Sequence, residues 1–385
     1  MSESSRSDLL RQAVLLGDHP NYRLLRTSRY LLAELKQKHA CLMGTFYQAG
    51  MGEHVRFLVN HQSCEGAGHS ARMDEIVHQG QESYHAMVCA ELGLPVHETA
   101  LMGTAANMQY AACAREAHEG LEVEAIATAG VQGNGGRAGD PASFMEHRDE
   151  INREWVRPGT INIMVLVNQP MAGTALMRAV TTITEAKTAA LQELAVPSRH
   201  SAGLATGTGT DQLLLAARVD AGMPAMVWAG QHTKLGELLG KSVLRAVKEA
   251  LLWQNGLEPS RTRNLFYILE RHGIKPALLD EHMKHILDAQ HFDFYSKNKM
   301  AITHEPQLAA CAYSLATLLD RTAYGTFPAD MVDELLVNHC ALLGAVMAAQ
   351  PARYHEIRAQ LVAGETSFVP LFCNALAAGW KLKWP

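Results

Sequence analysis

Thr160-Ile-Asn-Ile-Met-Val-Leu-Val167, followed a few residues later by Thr174–Leu194, decides the fold class of this chain. The first stretch is rich in β-branched residues and nearly all apolar, as expected of a strand covered on both faces. In the second, Leu176, Val180, Ile183, Ala190 and Leu194 recur at spacings of three to four, apart from one longer gap. That is the period of an amphipathic helix. Working outward, the alternation continues. Leu101–Ala105 and Val123–Ala129 read as strands, Gln109–His118 as a helix, and Gly203–Ala217 and Ala225–Ala229 as strands. Lys234–Gln254 reads as a second amphipathic helix, stopped by Asn255-Gly256. Upstream, Leu42–Tyr47 and Val55–Asn60 read as short strands separated by a turn at Gly50-Met51-Gly52. Asp74 reads as the cap of a helix carrying Ile76, Val77, Tyr84, Val88 and Leu92, with its stop at Gly93 and Pro95. The expected class is α/β, a mixed sheet layered with helices, plus a C-terminal all-helical region.

The flanks read differently. Leu24, Leu25, Tyr30, Leu31, Leu32 and Leu35 are spaced for one apolar side of a helix, so residues 1–44 are expected to be a helical lead-in. The central domain then runs over 45–257. After Glu258-Pro259-Ser260 glycine becomes sparse and helical patterns dominate: Leu265–Arg271, Ala277–Gln290, Pro306–Asp320, Ala329–Ala349 and Arg353–Leu361. Residues 258–385 are therefore expected to form a helical extension. Its apolar residues, Leu335 to Val346 among them, call for burial within the bundle, with a homo-oligomer interface or a lid as the alternative.

The 385 residues carry 34 Lys+Arg and 39 Asp+Glu, a net charge of −5, which disfavours a nucleic-acid partner. Hydrophobic residues make up 48% and charged residues 19%, a mixture that folds rather than staying disordered. The longest apolar runs fall well short of the ~20 residues of a spanning helix, so no membrane partner is expected. Met1–Arg11 is polar and serine-rich, unlike a secretory signal. Seven cysteines without paired spacing read as reduced thiols, and so as a cytoplasmic protein.

Chemistry can gather in several places. Thr128–Pro141 follows a strand and holds Gly130, Gly133, Gly135, Gly136 and Gly139, so its backbone can approach a ligand closely. The spacing is not that of a phosphate loop. A flexible surface loop is the plain alternative. Thr206-Gly-Thr-Gly-Thr-Asp211 offers amides and hydroxyls beside a carboxylate, suited to an oxyanion or to activating water. A tight turn capped by Asp211 explains it equally well. Thr181, Glu185, Thr188 and Gln192 share one stripe of the strongest helix, a solvent face by default and a cavity lining by alternative. Lys187 lies two residues from Glu185 and so points elsewhere. His232 precedes a helix and is a candidate general acid or base.

For metals, His61, Cys64, Glu65 and His69 fall within nine residues just after a strand, the best of three histidine clusters. His78, Glu82 and His85 share a helical face, and His282 and His285 sit three apart. None has a standard zinc spacing. A divalent metal at His61, Cys64 and His69 stays an alternative to a metal-free route.

Taken together, five blocks in one order resemble the adenosylcobinamide amidohydrolase family, of the CbiZ type. They are Ala127-Thr-Ala-Gly-Val131 with Asn134, Arg137, Ala138 and Gly139; Pro158-Gly-Thr-Ile-Asn-Ile163; Thr184-Glu-Ala-Lys-Thr-Ala-Ala-Leu191; Ala205-Thr-Gly-Thr-Gly-Thr-Asp211; and the glycine–helix block ending in Leu235-Gly236. Leu58-Val-Asn-His61 resembles the family's strand-plus-Asn segment. The resemblance covers Thr45 to Gly256. It implies hydrolysis of the amide joining the aminopropanol arm to the corrin ring, giving adenosylcobyric acid for coenzyme B12 salvage, with a corrinoid as the small-molecule partner and no required cofactor. The residues inside the blocks are the expected site: Asp211 or Glu185 as base, Thr206, Thr208 or Thr210 at the oxyanion, His232 nearby, and Asn60, Gly130, Asn134, Arg137, Asn162, Lys187 and Thr210 on the substrate. No nucleophile elbow is present. A corrinoid-binding protein without catalysis, and an amidase with a non-corrinoid substrate, are the rival readings.

Overall fold

A computed structural model describes residues 7–45, 47–64, 76, 78–142, 158–362 and 367–384. The chain divides into two compact units, Met1–Leu257 and Glu258–Pro385.

The first unit is built on two sheets. The five-stranded sheet has the order β1 (Val14–Asp18), β2 (Tyr22–Arg26), β3 (Tyr30–Leu35), β6 (Phe57–Gln62), β7 (Thr99–Thr104). The six-stranded sheet has the order β5 (Gly50–Gly52), β4 (His39–Gly44), β13 (Gln212–Arg218), β11 (Ile161–Val167), β9 (Leu121–Ala129), β8 (Ala112–His118). A two-residue pair, β10 (Gly135–Gly136) with β12 (Gly207–Thr208), stands apart. β6 and β7 are parallel, as are β11 and β13; the other pairs within these sheets are antiparallel.

Alternation along the strands builds four layers. Leu24, Leu31, Leu58 and Met102 of the first sheet pack against Ile126, Met164, Leu166 and Leu214 of the second. The opposite face of the first sheet, through Leu25, Tyr30, Leu32, Val59 and Leu101, buries Tyr84, Val88 and Leu92 of helix α1 (Gln81–Leu92). Helices α2 (Gly173–Glu193) and α3 (Lys234–Asn255) cover the outer face of the second sheet, α3 lying on β8 and β9. Thr233 caps α3 by accepting from the Gly236 amide at 3.1 Å, and Gly256 ends it at φ 62°. Each leucine so buried contributes about 1.5–3 kcal/mol.

The expected mixed sheet with helices, followed by helices, is what forms. The helical lead-in is not: residues 14–44 are four strands. The reason is burial on both faces. Leu31, Ala33 and Leu35 face the inter-sheet core while Tyr30 and Leu32 face α1, so the run is continuously apolar and mimics a helix. Gln109–His118 is likewise mostly strand β8, and Gly50–Gly52 is a short edge strand rather than a turn. Ala225–Ala229 holds only a bridge between Met226 and Met171. Asp74 and Val77 lie outside the described residues.

The second unit is helical, with a core of its own. Helices Val332–Met347 and Phe368–Lys383 cross at glycines: a Cβ on Gly379 would come within 2.2 Å of Gly344 O. Arg271 holds Asp320 through two nearly buried hydrogen bonds. None of the seven cysteines, all among the described residues, is joined in a disulfide.

Candidate functional site

One end of the sandwich is polar. On the inward faces of β9, β11 and β13 the apolar rows give way to Thr128, Asn162 and Gln212, which are neighbours in register. Asn60 on β6 faces them. The Asn162 amide donates to Asn60 Oδ1 at 2.9 Å and to Gly103 O at 3.1 Å. Asn60 Nδ2 donates to Thr128 Oγ1 at 2.8 Å, and Gln212 Nε2 donates to the same Gly103 O at 3.1 Å. β7 is the edge of its sheet, so these amides complete an otherwise open backbone carbonyl.

Further out on the same strands the layer continues as hydroxyls. Thr160 and Thr210 lie 2.6 Å apart, oxygen to oxygen, and Thr210 Oγ1 also donates to Gly159 O at 3.1 Å. Asn134 Nδ2 donates to Gly159 O at 3.1 Å. Gly159 has φ 150°, and a Cβ there would meet both Asn134 Cβ and Gly130 O at 3.0 Å, so only glycine lets the Gly130–Asn134 loop close against it. That loop is also tied to the end of α3, where Asn255 Oδ1 accepts from the Val131 amide at 3.0 Å.

Asp211 organises the turn between β12 and β13. Its Oδ1 accepts from the Ile161 amide at 2.9 Å and from the Thr208 hydroxyl at 2.5 Å. Its Oδ2 accepts from the Thr208 amide at 3.0 Å and from Lys187 Nζ at 2.5 Å. Side-chain exposure is 12% for Lys187 and 15% for Asp211, so the ion pair is largely shielded. Gly207 packs under it: a Cβ there would lie 2.5 Å from Asp211 Oδ2 and 2.7 Å from Lys187 Nζ. The carboxylate thus has both oxygens filled, and the tight turn capped by Asp211 is real.

The remaining site candidates fall in several places. Thr206 is a strut: its hydroxyl accepts from the Ala138 amide at 2.8 Å, and its carbonyl accepts from Thr188 Oγ1 at 3.0 Å. Gln192 reaches Ala205 O at 2.9 Å, so this part of the polar stripe on α2 pins a loop instead of facing solvent. Arg137 holds Leu204 O at 3.3 Å. Glu185 and His232 are exposed and stand apart from the Asp211 network; Glu185 accepts from Gln231 Nε2 at 2.6 Å beside the groove between α2 and α3. His61 points to the α1 side, opposite to Asn60. Arg29 donates to its Nε2 at 2.9 Å, so the proton sits on Nδ1, 2.6 Å from Tyr84 OH. With both nitrogens engaged and Tyr30 stacked at 4.5 Å, His61 offers no lone pair to a metal here. Cys64 Sγ accepts from Ser63 Oγ at 3.7 Å, Glu65 and His69 lie outside the described residues, and no group of three His, Cys, Asp or Glu suited to a metal occurs among the described residues.

Three members of the polar layer were not foreseen in a role: Gln212, Thr128 and Gly103. The available signal was a polar residue in an inward slot of an otherwise apolar strand. A second cluster went unforeseen too. Tyr22 donates to the buried Glu124, with His19 Nε2 at 3.5 Å, and burial raises the Glu124 carboxyl to about 7.

Comparison with known proteins bears on the same segment. The pattern of the family described as adenosylcobinamide amidohydrolase matches residues 15–259. An uncharacterized protein of Methanocaldococcus jannaschii, MJ1613, is 36% identical over 191 residues, covering 46% of this chain and 72% of that protein. The crystal structure of the PH0078 protein from Pyrococcus horikoshii OT3 covers 62% of this chain and 83% of its own, at 11% identity and a TM-score of 0.27, too slight a likeness to bear on the fold. No described helix is long and apolar enough to cross a membrane. The match starts at β1, so the strands taken from sequence for a helical lead-in belong to the matched region. With both sheets, α1, α2, α3 and the Asp211 turn inside those bounds, the chain belongs to the adenosylcobinamide amidohydrolase family.

Proposed function

We propose that this protein hydrolyses the amide joining the aminopropanol arm to the corrin ring of adenosylcobinamide or a related cobamide, releasing adenosylcobyric acid and the amino alcohol for coenzyme B12 salvage. The observation that carries this reading is the family match over residues 15–259, which includes every element of the polar end. The substrate is a small-molecule corrinoid, and the setting is cytoplasmic.

Hydrolysis needs a proton acceptor for the attacking oxygen and donors for the tetrahedral oxyanion. In our reading Asp211 takes that proton at Oδ1, the oxygen whose Thr208 hydroxyl contact can rotate away. Lys187 holds the opposite oxygen, Oδ2, in place, and Asp211 then returns the proton to the departing amine nitrogen. Thr208 and Thr210 supply hydroxyl donors to the oxyanion, while Asn134 and the Gly130 loop line the approach. No metal is required in this scheme, and homo-oligomers are not needed to complete it.

The test is mass spectrometry of the purified full chain incubated with adenosylcobinamide, with and without prior chelation. Adenosylcobyric acid in both samples supports the metal-free scheme. Product lost on chelation moves the chemistry to a metal. The four hydrogen bonds already on Asp211 favour a second reading, a corrinoid-binding protein without turnover. Recovery of bound, unchanged corrinoid would support it.

A further inference from the structure

Asn162 Oδ1 and Gln212 Oε1 have no hydrogen-bond partner among the described residues, although Asn162 is fully buried and Gln212 is 7% exposed. Their orientation is not arbitrary. Both amide nitrogens converge on Gly103 O at 3.1 Å, and Asn162 Nδ2 donates its other proton to Asn60 Oδ1. Reversing either amide would set carbonyl oxygen against carbonyl oxygen. The two oxygens therefore stay turned away from Gly103. They belong to residues paired in register on adjacent parallel strands, a separation of about 5 Å. Leaving a buried amide oxygen unpaired costs about 1–3 kcal/mol, and here two neighbours bear that cost together.

We infer that Asn162 Oδ1 and Gln212 Oε1 form a two-acceptor subsite that receives the NH2 of a primary carboxamide on the substrate. This rests on the amidohydrolase reading and names residues that select its substrate. The chemistry of the two acceptors selects the donor. Two neutral acceptors match the two hydrogens of one carboxamide nitrogen. Among the described residues no carboxylate bonds to these amides, and the adjacent Asp211 has both oxygens engaged elsewhere, so a neutral donor is favoured over a buried ammonium. A methyl ester of the same shape lacks the N–H and would leave both acceptors unpaired, which is the stronger form of discrimination.

Gln212→Met tests this, because Asn162 still completes Gly103 O and the fold keeps its edge contact. Three readouts apply to the full chain. First, the ligand-free variant should melt at or above the wild-type temperature, since an unpaired buried acceptor has been replaced by an apolar chain. A drop of several degrees would mean that a structural water already satisfies the pair, overturning the proposal. Second, titration with adenosylcobinamide should show roughly tenfold weaker binding, the loss of one hydrogen bond. Unchanged affinity would also overturn it. Third, propionamide should raise the wild-type melting temperature more than methyl propionate does, and Gln212→Met should remove that difference. Equal shifts from the two probes in the wild type would count against the subsite. If the wild type binds propionamide in this way but binds no corrinoid, the substrate assignment fails and the amide subsite stands.

Discussion

Asn162 on β11 donates to Asn60 Oδ1 on β6 at 2.9 Å, and this bond joins the two sheets at the end where their apolar rows stop. Removing one partner strands the other. Asn60→Leu leaves the Thr128 hydroxyl without its donor and Asn162 with one unmatched N–H, all buried. The expected loss is about 2–4 kcal/mol, read as a lower urea midpoint for the unit Met1–Leu257, with the transition of the helical unit unmoved.

Asp211→Asn should lower turnover of adenosylcobinamide by roughly 100-fold or more while leaving circular dichroism near that of the wild type. Lys187 then loses its counter-charge at a shielded position, so stability falls by about 2 kcal/mol. Turnover within a few-fold of wild type would remove Asp211 from the chemistry and leave it as the cap of its turn.

Two glycines should respond oppositely to alanine. At Gly207 a Cβ meets Asp211 and Lys187 at 2.5 and 2.7 Å, so Gly207→Ala should disrupt the ion pair and reduce turnover along with Asp211→Asn. At Gly240, in the middle of α3, a Cβ meets nothing within 4 Å. Gly240→Ala should stabilise the first unit by about 0.5–1 kcal/mol in the same urea titration.

The buried Glu124 makes a pH prediction. Burial raises its carboxyl from the ordinary 4.5 to about 7. A group with a raised folded value binds its proton more tightly in the folded state, so stability falls as pH rises from about 4.5 to about 7 and is level beyond. Glu124→Gln keeps an acceptor for Tyr22 and has no charge to bury. It should match the wild type near pH 4 and exceed it above pH 7, by up to about 3 kcal/mol. Chemical denaturation at the two pH values checks this, and an equal offset at both would refute it.

Much of the first unit was legible. β9, β11, α2 and α3 follow from apolar run length, period and the Gly256 stop, because a local period depends on local neighbours alone. β2 and β3 were not, since strands buried on both faces lose their alternation. In the site, Asp211, Thr208, Thr210, Lys187, Asn134 and Asn162 came from the blocks that resemble the family, and the structure draws them to one end. Glu185 and His232 share those blocks but stand apart, because adjacent positions on a helix or cap diverge in direction.

The sequence by itself determined the layered class, the boundaries of the longest helices and the family, because these rest on local periods and on the order of short blocks. Only the tertiary structure decided which residues meet. Asn60 and Asn162 are 102 positions apart, and Gly103 and Gln212 are 109 apart. Pairing and register of two sheets set those encounters, and a one-residue slip would turn every inward amide to the other face.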